Sequence, residues 1–178
     1  MNKTAVVVYK SKYGNTKKYA QWIAAEVGAD LFEANNVNIN DLSQYHTIVY
    51  GGGIYASRIE GISLITKNFQ ALKDKTLVVF TVGITSPTNT ESLKPVIENA
   101  FTQEMKGSIH LFHLRGSLDY DNMGFMHKQM MKILKRFIVH KKPGDLTDDD
   151  KIILSSYGNV VDFIDKQTIG PICSCVDE

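Results

Sequence analysis

Ser11, Lys12, Tyr13, Gly14, Asn15 and Thr16 stand in a row near the start of the chain. Hydroxyl and amide side chains at this density, around one glycine, suit the binding of a small anion. The flanks say where they sit. Thr4, Ala5, Val6, Val7, Val8 and Tyr9 form an apolar, β-branched run that predicts a buried strand. Ala20, Ile23, Ala24 and Val27 then recur at helical spacing. The row therefore joins a strand to a helix N-terminus, where unpaired N–H groups and the positive end of the helix dipole favour a phosphate. Lys17 and Lys18 fall in the first helical turn, where cations oppose the dipole unless a bound dianion reverses the sign. The row is not a P-loop, because G-x-x-x-x-G-K-[ST] is absent. Nor is it the dinucleotide fingerprint G-x-G-x-x-G. A plain strand-to-helix turn capped by Asn15 or Thr16 uses the same residue types.

Two further stretches point to the same place. Thr47, Ile48, Val49 and Tyr50 predict a strand that runs into a loop of Gly51, Gly52, Gly53, Ile54 and Tyr55. Thr76 to Val82 predicts another, ending at Gly83. Glycines let a ligand approach the backbone closely. The candidate ligand-binding residues are Gly52, Gly53, Ile54 and Tyr55 from one stretch and Thr81, Val82 and Gly83 from the other.

The elements that must position them alternate. Asp30, Leu31, Phe32 and Glu33 form a weaker strand, and Ile109 to Leu114 a fifth. Ile62, Ile65, Phe69 and Leu72 make one helical stripe, and Leu93, Val96, Ile97 and Ala100 another. A last helix is expected to carry Tyr157, Val160, Val161 and Ile164, capped by Ser155 or Ser156. This alternation predicts an α/β, doubly wound, five-stranded parallel sheet of order 2-1-3-4-5 with helices on both faces. Ligands of such sheets bind beyond the carboxyl ends of the strands, at the switch point between strands one and three. The stretch 115–150 breaks the rhythm and reads as an insertion near strand five of a single domain spanning 1–178.

Composition narrows the function classes. The chain has 178 residues, 43% hydrophobic and 22% charged, with net charge +1. That balance gives no global field that would select nucleic acid. Met1, Asn2 and Lys3 lead directly into the first strand, and no apolar run is long enough to span a bilayer, so a cytoplasmic location is expected. Cys173 and Cys175 are one residue apart, too close for an unstrained disulfide. No histidine, cysteine or carboxylate spacing predicts a metal site.

The row at residues 11–16 resembles the FMN-phosphate loop of the flavodoxin family, T/S-x-T-G-x-T, as S-x-Y-G-N-T. Gly51, Gly52, Gly53, Ile54 and Tyr55 are similar to that family's second flavin loop, in which an aromatic residue often stacks on the isoalloxazine. Tyr55 matches its position. The resemblance implies non-covalent FMN. Within the family the chain looks most like the small quinone-dependent, flavodoxin-like protoporphyrinogen oxidases. The match is Leu114, Arg115, Gly116, Ser117, Leu118, Asp119 and Tyr120, followed by a basic amphipathic stretch. This implies an FMN-dependent oxidoreductase passing electrons from a reduced, porphyrinogen-like substrate to a quinone. The alternative is a flavodoxin-type electron carrier between protein partners. The insertion and the near-neutral charge favour the enzyme; small size and the lack of an acid–base pair favour the carrier.

The basic stretch has two readings. Met126, Met130, Ile133, Leu134 and Phe137 share one side of a predicted helix over 125–139, with Lys128, Lys132, Lys135 and Arg136 mostly elsewhere. No acid stands between Asp121 and Asp145. Residues 124–142 therefore read either as a peripheral contact with an anionic membrane surface or a partner, or as a helix that packs on the sheet with a solvated basic face.

Overall fold

Val7, Val49 and Val78 lie side by side on three neighbouring strands, and all three are fully buried. One residue earlier, Val6, Ile48, Leu77 and Ile109 make a second buried row on the opposite face. A sheet apolar on both faces must be covered on both, which is why these strands read as continuous apolar runs. The computed structural model describes residues 4–157 and 159–177.

Eight strands and nine α-helices are present among them. The strands are β1 (Ala5–Lys10), β2 (Asp30–Glu33), β3 (Thr47–Tyr55), β4 (Arg58–Ile59), β5 (Thr76–Gly83), β6 (Ile109–Arg115), β7 (Ser117–Asp119) and β8 (Val160–Asp162). The helices are α1 (Asn15–Glu26), α2 (Ile39–Leu42), α3 (Ser63–Thr66), α4 (Phe69–Leu72), α5 (Thr90–Ala100), α6 (Gln103–Ser108), α7 (Phe125–Val139), α8 (Asp148–Ser155) and α9 (Gly170–Asp177). The main sheet has the parallel order β2-β1-β3-β5-β6, with β4 folded back on β3. This is the expected doubly wound order once the short β4 is passed over. Tyr19, Ala20 and Ile23 of α1 and Ile172 and Cys173 of α9 cover one face; Leu42, Ile65, Phe69, Leu72 and Val96 cover the other.

Three expectations need correction. The stretch from Gly51 to Tyr55 is not a loop: it continues β3, with Gly51, Gly52 and Gly53 paired to Phe80, Thr81 and Val82. The glycines are demanded by neighbours. A Cβ on Gly51 would lie 2.2 Å from the Phe80 ring, and one on Gly52 would lie 2.6 Å from the Ile59 side chain. Second, Val160 and Val161 are not helical. Val160–Asp162 is β8, antiparallel to β7, as suits β-branched residues. Ser155 and Ser156 end α8 instead of capping a later helix, and the last helix is α9, anchored by Ile172 and Cys173. Cys175 is half-buried and packs against the same cluster. Third, the stripe at Ile62 to Leu72 is split into α3 and α4, although Ile65, Phe69 and Leu72 are buried as the spacing requires.

Between Ser117 and Asp162 the chain leaves the main sheet. β7 and β8 close the base of this excursion, and α7 and α8 fill it. Thr147 and Asp150 form a capping box at the start of α8. Asp150 also accepts from Lys141 Nζ at 2.7 Å, pinning the turn between the two helices.

Gly51→Ala should destabilise the protein by about 1–3 kcal/mol, because the added methyl meets a fully buried ring in a well-packed core. Urea denaturation should show a lower midpoint with an unchanged slope. Phe80→Leu in the same chain should recover part of the loss.

Candidate functional site

Parallel pairing brings three strand ends together. Lys10 pairs with Gly52, and Gly53 with Val82, so the residues that follow β1, β3 and β5 converge on one spot. A cleft of about 490 Å³ opens there. Nine of the sequence-predicted residues line it: Ser11, Tyr13, Asn15, Thr16, Gly53, Ile54, Tyr55, Val82 and Gly83. Four do not. Lys12 is exposed, its ammonium 5.9 Å from the centre of the Tyr13 ring. Gly14 shapes the backbone. Gly52 lies against Ile59 and Glu60. Thr81 is buried, its hydroxyl 2.7 Å from His113 Nδ1.

The 11–16 loop owes its shape to Gly14, which takes φ 89° as the N-cap of α1, a conformation that favours glycine. Its N–H donates to Ser11 Oγ at 3.1 Å. Asn15 and Thr16, the expected caps, are inside the helix. The Lys18 N–H donates to the Gly14 carbonyl at 2.9 Å. The N–H groups of Asn15, Thr16 and Lys17 therefore stand at the open end of α1, available to an anion. Thr16 is buried and its hydroxyl faces Gly53. Asn15 is spent on structure: its Nδ2 donates to the Ser117 carbonyl at 2.8 Å, and Ser117 Oγ donates back to Asn15 Oδ1 at 2.8 Å.

Tyr55 ends β3 at a two-residue turn. Ala56 and Ser57 both have positive φ, 46° and 59°, in a turn that favours asparagine and glycine, so the backbone is strained beside the cleft. Burial pushes the Tyr55 phenol well above its ordinary pKa, helped by the negative charge of Glu60. Glu60 Oε2 is itself buried with no hydrogen-bond partner among the described residues.

The opposite wall comes from the excursion, and sequence reasoning did not assign it to the site. Gly116, Ser117, Leu118, Met123 and His127 all line the cleft. The usable signal was the turn at Gly116 and Ser117. Gly116 is needed because a Cβ there would lie 2.9 Å from Asn15 Nδ2 and 3.0 Å from Val82. His127 projects from α7, its Nδ1 2.6 Å from the Tyr13 hydroxyl and its ring stacked on Tyr55 at 4.9 Å and 16°. Burial, then Lys12, hold its pKa below the ordinary value, while Glu60 pulls the other way. The remaining loop, at Ile84, is tied down by Arg115, whose Nε and Nη2 both donate to the Ile84 carbonyl at 3.2 Å.

α7 does not lay its apolar stripe on the sheet. Met131 and Ile138 are buried, but Met126 is 79% exposed and Phe137 70%, with Met130, Ile133 and Leu134 also open. No helix among the described residues is long and apolar enough to cross a membrane.

Residues 6–147 match a family model described as a flavodoxin domain. Among curated proteins, none matches the sequence. Solved structures with a similar course include a flavodoxin from the domain Archaea, 15% identical, covering 98% of this chain and 99% of its own, with a TM-score of 0.47. The Trp repressor binding protein from Bacillus subtilis is 19% identical over 64% of this chain and 83% of its own, with a TM-score of 0.45. A flavoprotein in complex with FMN from Lactobacillus acidophilus is 16% identical over 64% of this chain and 93% of its own, with a TM-score of 0.43.

Behind the cleft, His113 links β5 to the Ile84 loop: Nδ1 meets the Thr81 hydroxyl, and Nε2 donates to the Thr85 carbonyl at 3.0 Å. Burial holds its pKa below the ordinary 6.5, outweighing the Thr85 carbonyl and Asp149, and Arg115 acts with burial. The folded state thus favours the neutral ring. Its contribution to stability is full above about pH 6.5 and falls as the unfolded chain takes up the proton below it. Between about pH 7 and pH 5 the wild type should lose more stability than His113→Gln, measured by denaturant titration at each pH.

Proposed function

Because the chain belongs to the flavodoxin domain family, we propose that the cleft binds FMN non-covalently and that the protein is an FMN-dependent oxidoreductase. One observation carries the reading: the open end of α1 and the ends of β3 and β5 converge on a single cleft at the switch point of the sheet. Ser11 and Thr16, with the free N–H groups of Asn15, Thr16 and Lys17, hold the phosphate, Gly14 shapes the loop around it, and Lys12 adds positive charge outside it. Gly53, Ile54, Tyr55, Val82 and Gly83 flank the ring, while Gly52 and Thr81 shape the wall from behind. Bound FMN supplies reversible one- and two-electron transfer.

The same reading extends to substrate and place. The electron source is a bulky reduced molecule of the porphyrinogen kind and the acceptor a quinone, as in the quinone-dependent protoporphyrinogen oxidases. The protein is cytoplasmic and meets the inner face of the membrane through 124–142. Three facts about α7 support this: its exposed apolar residues, its lysines and Arg136, and the lack of acids from 122 to 144. A flavodoxin-type carrier between redox proteins would need none of these.

Thr16→Ala should weaken FMN by tenfold or more and riboflavin hardly at all, since a hydrogen bond to a charged group is worth about 1.5–3 kcal/mol. Flavin fluorescence titration reads both ligands. Equal losses would mean that the 11–16 loop does not hold phosphate, and purified protein that takes up no flavin would end the reading altogether.

Lys132→Glu with Arg136→Glu should leave FMN binding intact and abolish sedimentation with anionic liposomes at low salt. Each cation near such a surface contributes about 1 kcal/mol, screened as salt rises. Wild-type protein that ignores anionic liposomes, yet reduces quinones, would make the exposed face of α7 irrelevant to the membrane.

A further inference from the structure

We infer that Arg115 is a positioning residue for the cofactor. It fixes the wall of the cleft at Ile84 and places behind that wall a permanent positive charge, which raises the potential of the bound flavin. The inference rests on the FMN reading and gives that site a direction, toward taking electrons up.

Gly83 ends β5, and it and Ile84 line the cleft. The carbonyls of Gly83, Ile84 and Thr85 are all bound by β6 and the residue after it. The Gly116 N–H donates to Gly83 at 2.7 Å, Arg115 Nε and Nη2 both donate to Ile84 at 3.2 Å, and His113 Nε2 donates to Thr85 at 3.0 Å. The negative ends of three successive peptide dipoles are thus engaged, and none can turn into the cleft without breaking a bond. Holding such a turn takes donors, not a cation. A backbone N–H serves Gly83, and a histidine whose burial favours the neutral ring serves Thr85. The arginine therefore brings a charge that its bonding role does not require.

That charge is not cancelled. None of the ion pairs among the described residues includes Arg115. Its guanidinium packs 3.5 Å from the centre of the Phe163 ring, which holds the fork in place and leaves it charged. Asp149, which acts on neighbouring His113, is hydrogen-bonded to Asn89. The carboxylates around the cleft belong to its other sides. Asp119 lines the wall made by the excursion, with its oxygens taken by Asp121 and Asn122. Glu60, which follows β4, acts on Tyr55 and His127. One peptide group, that of Ile84, stands between the guanidinium and the cleft. A flavin ring that takes up two electrons and one proton gains a negative charge. A fixed cation behind the wall therefore holds the reduced ring more tightly than the oxidised one, which is what raises a potential. This suits a protein that accepts electrons from a substrate better than one that delivers them at low potential.

The test is a dithionite titration of flavin-loaded protein against a reference dye, which reads the flavin potential without turnover. Arg115→Gln keeps a donor for the Ile84 carbonyl and removes the charge. It should lower the potential by about 30 mV, which for a two-electron couple is a tenfold loss of preference for reduced over oxidised flavin. Arg115→Lys keeps the charge and should stay near the wild type. Should Arg115→Gln fail to fold, Phe163→Glu sets a carboxylate against the retained guanidinium and should also lower the potential, whereas Phe163→Gln should not. His113→Gln, measured at about pH 8 where the wild-type ring is neutral, alters the neighbouring anchor without altering charge and should leave the potential in place. A fall in Arg115→Lys or His113→Gln equal to that in Arg115→Gln would overturn the inference, because loop geometry and not charge would then set the potential. An unmoved potential in Arg115→Gln and Phe163→Glu would overturn it as well. The flavin spectrum separates the two readings: no retained flavin in the wild type defeats the FMN reading, whereas retained flavin with an unmoved potential in the variants defeats only the role of Arg115.

Discussion

Parallel pairing of β1, β3 and β5 is the constraint from which the rest of the cleft follows. Strands that run the same way present their carboxyl ends at one edge, and each must then hand the chain to a crossover. The register sets which residues meet there. With Lys10 beside Gly52 and Gly53 beside Val82, the 11–16 loop, the Tyr55 hairpin and the Ile84 loop have no other place to go. The close spacing is possible because β3 carries glycine where Phe80 and Ile59 occupy the space of a side chain. The glycines thus contribute to the cleft mostly by letting the sheet pack beneath it.

The excursion converts a strand-end crevice into a walled cleft. Its joints to the sheet are hydrogen bonds, not large apolar contacts. The Gly116 N–H donates to the Gly83 carbonyl at 2.7 Å, Tyr19 donates to the Arg115 carbonyl at 2.7 Å, and the Asp165 N–H donates to Tyr19 at 3.0 Å. Tyr19 therefore holds both ends of the excursion from beneath, with Arg115 packed on the Phe163 ring at 3.5 Å. Such joints fix direction more than they add stability, since each is worth only about 1 kcal/mol.

What could be read from the sequence follows from where each signal lies. The strand order and the 11–16 loop were legible because apolar runs, helical spacing and a strand-to-helix loop are local patterns. The role of Gly51 and Gly52 was not, because it depends on Phe80 and Ile59, residues on other strands. Val160 and Val161 fit a helical stripe with Tyr157 and Ile164 equally well, and only their pairing with Leu118 and Asp119 makes them a strand. His127 carried no signal at all: a histidine among lysines and methionines becomes part of a site only through Tyr13 and Tyr55, which are distant in sequence. The α7 stripe was legible as a pattern, but whether it packs or stays open is decided by what lies beneath it.

The bonds between Asn15 and Ser117 join residues 102 apart in the chain. Contacts of that separation form late in folding, after the intervening strands have paired, because closing a long loop is unfavourable until other contacts shorten it. On a ribosome, the 11–16 loop emerges with its sheet neighbours still unmade and its opposite wall more than half the protein away. At roughly 5–20 residues per second, the two walls are separated in time by several seconds. The cleft therefore matures only after the second wall has been made, and whatever it holds must be captured by a chain whose excursion has already emerged.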